Sequence, residues 1–121
     1  PFRSMSSGRP NFAWSAGYPN ASWTLSADLT SKNVCRFINH LAANGYAFGM
    51  PNPAGAAGHA RPILDLTSGY VTRVADTLPQ QGSTSPWTIR QNWLLDSYDM
   101  RRTDLDEDMI FAPKQALVSA S

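Results

Sequence analysis

One stretch of this chain keeps a helical period long enough to dictate an element. From Thr24 to Asn44, the residues Ala27, Val34, Phe37, Ile38 and Leu41 recur as one apolar stripe at helical spacing. Lys32, Arg36 and Asn39 lie largely off that stripe, and Gly45 follows as a C-terminal stop. The rest of the chain has to be arranged around this helix, and it is much less regular.

Asn11 to Ala16 alternates enough to predict a short strand, ended by Gly17 and Pro19. Residues 46–62 carry three prolines and three glycines, which predicts a long ordered loop with no regular element of any length. A second helix is expected from about Asp65 to Leu78, stopped by Pro79, and Gln80 to Ser85 reads as a turn. Pro86 to about Met100 reads as a third helix with Pro86 in its first turn. An acidic turn, Asp104 to Asp108, leads to a short strand at Met109–Phe111, and a tail from Pro113 to Ser121 is expected to fray.

Such an inventory is not self-sufficient. Two lone strands need partners, because a two-stranded ribbon is marginal in water. The connections also exceed the usual ~4–6 residues between elements of a compact domain. The 121 residues therefore read as a single partial domain, a segment that completes a larger protein. An opening on Pro1 rather than Met agrees with a fragment or a processed product.

Composition narrows the class further. A hydrophobic content of 42% and a net charge of +1 describe a globular chain with no electrostatic case for nucleic acid or an anionic membrane. Cys35 is the one cysteine, which excludes a disulfide framework and fits a reducing, cytoplasmic setting. No apolar run approaches the ~20 residues of a membrane span.

Catalytic constellations are absent from the sequence. His40 borders the apolar stripe and reads as a packing or surface residue, while His59 sits in the Gly/Pro loop. Gly55-Ala-Ala-Gly58 is a glycine pair, not a dinucleotide fingerprint. Asp104, Asp106, Glu107 and Asp108 lack the glycine and terminal glutamate of a calcium loop. The helix start is more informative. Residues 17–30 read Gly-Tyr-Pro-Asn-Ala-Ser-Trp-Thr-Leu-Ser-Ala-Asp-Leu-Thr, with Asn20, Ser22, Thr24, Ser26 and Asp28 crowded together where one capping residue would suffice. The surplus allows two readings, an ordinary capped helix or an N-terminus whose N–H groups face an electron-rich ligand.

Gly17 to Leu29, followed by Val34-Cys-Arg-Phe37 and Asn39, resembles the C-terminal part of flavin-containing, Baeyer–Villiger-type monooxygenases. The similarity is to their ethionamide-activating branch. Arg61-Pro-Ile-Leu-Asp-Leu66, Ser68-Gly-Tyr-Val-Thr-Arg73, Leu78-Pro-Gln-Gln-Gly82, Pro86-Trp87 and Gln91-Asn92 continue it in the same order, so it spans roughly residues 10–111.

The resemblance implies an α/β fold: the C-terminal part of an FAD-binding Rossmann-like domain, mostly helices with one or two short strands. It implies FAD and NADPH as cofactors, and a reaction that uses O2 to insert oxygen into a ketone or to oxidise a sulfur or nitrogen centre of a small molecule. Residues 17–30 would then be a flavin-facing turn and helix start, with Gly17, Asn20, Ala21, Ser22, Trp23, Thr24 and Leu25 lining the cofactor or substrate. The phosphate-binding Gly-x-Gly-x-x-Gly motifs are missing, as is the family's Phe-x-Gly-x-x-x-His-x-x-x-Trp-Pro fingerprint, so no catalytic residue can be assigned and activity would need the remainder of the monooxygenase. Two other readings stay open: a truncated, non-catalytic product, and a small helical binding module built on Trp14, Trp23, Trp87 and Trp93.

Overall fold

The computed structural model describes residues 4–15, 17–18, 21–55, 61–62, 80–83, 87–88, 92–102 and 104–115, and among these, two helices and an antiparallel ribbon organise the fold. Helix α1 spans Trp23–Asn44. Gly45 ends it in the left-handed conformation (φ 67°), with its N–H turned back to the Ala42 and Leu41 carbonyls.

The buried side of α1 is Leu29, Thr30, Asn33 and Phe37. This corrects the stripe expected from periodicity, of which only Phe37 is buried. Ala27 is exposed, Val34 and Leu41 are half-buried, and Ile38 is 55% exposed. Tertiary neighbours decide the rotation. The N-terminal segment brings Met5 into the core and sets the Ser4 hydroxyl 3.0 Å from that of Thr30, so a polar side chain is buried with its hydrogen bond made.

Strand β1, Tyr46–Pro51, follows α1 directly. Strands β2 (Arg61–Pro62) and β3 (Gln80–Gln81) form a separate antiparallel pair, and β4 is Met109–Pro113. β1 pairs with β4 antiparallel, Gly49 opposite Phe111 and Pro51 opposite Met109, with an irregularity between Tyr46 and Phe48. The long ordered loop expected over 46–62 is therefore wrong at its start and in its Arg61–Pro62 pair, and the turn expected over Gln80–Ser85 opens on a paired strand at Gln80–Gln81. Pro51 is tolerated because the next ladder bond comes from Asn52, whose N–H donates to the Asp108 carbonyl (2.8 Å), so the missing N–H of Pro51 falls on the side of β1 away from β4. Gly49 is tolerated because nothing larger fits: a Cβ there would lie 2.7 Å from Phe111 and 2.8 Å from Phe37.

The strand expected at Asn11–Ala16 is replaced by an isolated bridge, Met5 to Ala13. Asn11 takes φ 53°, which breaks extension, and instead clasps the edge of β1. Its backbone N–H donates to the Gly49 carbonyl (3.0 Å) and its side-chain oxygen accepts from the Gly49 N–H (3.1 Å). Its side-chain amide donates to the Ala47 carbonyl (3.1 Å).

The expected helix over 65–78 lies outside the described residues. The third expected helix starts later than its proline suggests: helix α2 is Trp93–Arg102. Asn92 caps it, its side-chain oxygen accepting from the Leu94 (3.1 Å) and Leu95 (3.3 Å) N–H groups. Trp87 stands before the helix in a bend, buried, with its carbonyl accepting the Gly82 N–H. α2 packs on α1, and the Arg36 guanidinium donates to the Met100 carbonyl. At the far end the Lys114 N–H bonds the Gly45 carbonyl, holding the exit of β4 against the end of α1. Residues 116–121 of the expected frayed tail fall outside the described residues.

Candidate functional site

The turn before α1 and the first turn of that helix hold the candidate residues. Tyr18 is buried, and its hydroxyl donates to Asp96 Oδ2 of α2 at 2.5 Å. Burial, then the hydrogen bond and the negative charge of Asp96, push the phenol well above its ordinary pKa. Gly17 lies directly beneath the indole of Trp23, which a Cβ on Gly17 would overlap. The close approach that this glycine permits is thus taken by a residue of the chain itself. The indole otherwise faces outward and is 70% exposed.

Ser22 occupies the N-cap position with an extended backbone (φ −59°, ψ 129°), yet its side chain makes no capping bond. Its hydroxyl lies 2.6 Å from that of Thr24. The Leu25 N–H reaches the Ser22 carbonyl at 3.2 Å, and Asp28 is held by Lys32 at 2.6 Å one turn on. The apparent surplus of caps is thus spent elsewhere. Ala21, Ser22, Trp23, Thr24 and Leu25 are all exposed, and Asn20 lies outside the described residues.

These features give the first turn of α1 an outward-facing aromatic ring, two hydroxyls and N–H groups that Ser22 does not cap. Such an end favours an electron-rich group by ~0.3–1 kcal/mol through its partial positive charge. Of the residues expected to line the cofactor, Gly17 and Ala21 to Leu25 lie at or just ahead of the start of α1. Sequence reasoning missed the Tyr18–Asp96 link, because no local signal joins residues 78 positions apart.

His40 and the acidic turn have structural partners. His40 Nε2 lies 2.9 Å from Asp106 Oδ1, and its ring packs on Phe111 (5.2 Å between centroids) and Tyr46 (6.0 Å). The acidic turn is closed by the Asp106 N–H donating to Asp104 Oδ1. Among the described residues no group of three histidine, cysteine or acidic side chains could hold a metal ion. No helix among them is long and apolar enough to cross a membrane. His59 lies outside the described residues.

Comparison with known proteins decides the relationship. The "FAD-containing monooxygenase EthA" of Mycobacterium tuberculosis is 44% identical over 115 residues, covering 94% of this chain and 24% of its own length. The chain is a relative of the FAD-containing monooxygenases. Within that family, the protein of the same name from Mycolicibacterium smegmatis is 43% identical over 97% of this chain and 24% of its own length. A more distant relative, named "Probable FAD-binding monooxygenase AlmA", from Acinetobacter baylyi, is 33% identical over 92% of this chain and 22% of its own length. The chain thus spans about a quarter of the length of these monooxygenases. No family model matches the chain, and no solved structure does.

Proposed function

We propose that this chain forms the flavin-facing part of an FAD- and NADPH-dependent monooxygenase of Baeyer–Villiger type. In this reading it is the C-terminal part of an FAD-binding Rossmann-like domain and works in the cytoplasm on a small-molecule substrate. The reaction inserts one oxygen atom of O2 into a ketone or oxidises a sulfur or nitrogen centre. The observation that carries the reading is the start of α1, where Ser22 occupies the cap position without capping and Trp23 stands exposed above Gly17.

These residues fit the ring end of FAD and not its phosphates. An isoalloxazine is flat and electron-rich at its pyrimidine edge, which suits an exposed indole, the hydroxyls of Ser22 and Thr24, and helix N–H groups. A diphosphate would need a glycine-rich turn after a strand, and the sequence has none. When bound, FAD supplies the redox chemistry with oxygen. Ala21, Ser22, Trp23, Thr24 and Leu25 would orient its ring and offer hydrogen bonds where negative charge gathers, with Gly17 seating the Trp23 indole and Asn20 beside them by sequence.

By this account the 121-residue chain is inactive alone. Titrated with FAD, it is expected to give no tight yellow complex, and stoichiometric binding would overturn the incomplete-site reading. The direct test grafts the chain into the M. tuberculosis relative in place of that protein's own aligned quarter. The chimera should purify with FAD and oxidise NADPH in a substrate-dependent way, and Trp23→Ala should shift its flavin absorbance. A folded chimera without FAD, or a flavin spectrum indifferent to Trp23→Ala, would sink the proposal.

A further inference from the structure

Tyr18 is held from both ends. Its side chain is buried, and its hydroxyl reaches Asp96 Oδ2 in the first turn of α2. Its carbonyl accepts the Ala21 N–H (3.5 Å), and Ser22, the N-cap of α1, follows Ala21. On its other side the neighbouring residue, Gly17, lies directly beneath the Trp23 indole. That indole is 70% exposed, so its seat on Gly17 is what fixes where the ring stands. Asp96 is a firm anchor for the arrangement. A carboxylate in the first turn of a helix sits at the positive end of the helix dipole, and the Asp96 N–H is tied to the Asn92 carbonyl (3.0 Å). A hydrogen bond to an ionised acceptor is also stronger than one between neutral groups.

We propose that Asp96 is a positioning residue for Trp23: acting through Tyr18, it holds the Gly17 seat in place and so fixes where the exposed indole stands. Helix α2 thereby sets the geometry of the first turn of α1 from a residue 73 positions beyond Trp23 in the sequence (96 − 23). The consequence for a cofactor rests on reading the chain as the flavin-facing part of a monooxygenase. In that reading Trp23 meets the isoalloxazine, and Asp96 orients the contact without sharing in it. Loss of the Tyr18–Asp96 bond would then free the indole from its seat while α1, whose own backbone bonds do not involve either residue, stays formed.

The test uses the chimera with the M. tuberculosis relative, where indole and flavin are read together. Labelling with fluorotryptophan gives each tryptophan its own fluorine resonance, and Trp23→Phe and Trp14→Phe identify two of them. Tyr18→Phe and Asp96→Ala should each move the Trp23 line, and the double variant should move it no further than either alone, because both remove the same bond. Asp96→Asn keeps an acceptor oxygen and should return the line most of the way. The Trp14 line should hold its place throughout. A still Trp23 line, additive displacements in the double variant, or Trp14 and Trp23 moving together as in general loosening would each overturn the inference. If Asp96→Ala does not fold, Tyr18→Phe and Asp96→Asn decide it, the first displaced and the second close to the parent. Flavin absorbance separates this result from the proposed function. Tyr18→Phe should shift it in the same direction as Trp23→Ala and add nothing in the Trp23→Ala background. A spectrum that answers to Trp23→Ala but not to Tyr18→Phe overturns the positioning role and leaves the flavin contact. A displaced Trp23 line beside a spectrum indifferent to Trp23→Ala keeps the positioning role and removes the flavin contact.

Discussion

The Tyr18 hydroxyl donates to Asp96 Oδ2 at 2.5 Å, tying the turn ahead of α1 to α2 across 78 positions of sequence. This bond ties the approach to the candidate site to a second helix. A phenol held this way is hard to ionise. Its folded-state pKa lies above the unfolded value of about 10. The linkage sign follows: the bond's contribution is complete below pH 10 and is lost as pH rises beyond it toward the folded value. Tyr18→Phe should lower stability in denaturant unfolding by about 1–2 kcal/mol at pH 7 and flatten the loss seen above pH 10. An unchanged alkaline slope would remove Tyr18 as its source.

Gly49 shares its space with two rings. Gly49→Ala would push Phe37 away from Phe111, whose centroids now stand 6.4 Å apart, at a cost of about 1–3 kcal/mol. Reduced urea midpoints should accompany a change in the near-ultraviolet aromatic signal. A neutral substitution would mean that the ribbon can move off α1.

Asn11 acts through its backbone angle and its side chain at once. Asn11→Gly keeps the φ of 53° accessible but deletes the two side-chain bonds to β1, and should cost about 1 kcal/mol. Asn11→Ala adds the left-handed strain of a Cβ and should cost about 1 kcal/mol more. Unfolding of the pair gives the difference directly, and equal losses would show that backbone strain contributes nothing.

Gly17 is tested by the indole above it. Gly17→Ala should displace Trp23 and alter the fluorescence assigned to it by comparison with Trp23→Phe. The helix itself should persist in circular dichroism, since Gly17 lies outside α1. Unchanged Trp23 emission would mean the ring is not seated on Gly17.

The sequence by itself determined the local elements whose signals are local. Period and a glycine stop defined a helix from Thr24 to Asn44, one residue short of the observed start at Trp23, and a strand was expected at Met109–Phe111, within β4, because helix propagation and capping are decided within a few residues. Through the resemblance of several separated blocks it also gave the relationship to FAD-containing monooxygenases that the comparisons bear out. Tertiary structure decided the rest. Which strand β4 would pair with, which side of α1 would be buried, and that Asn11 would clasp an edge instead of extending were fixed by partners tens of residues away. The apolar stripe on α1 marks the division. Periodicity identified it as a face in need of cover, but burial depends on what the chain can bring against a face. Within these residues that cover went to Leu29, Thr30, Asn33 and Phe37 instead.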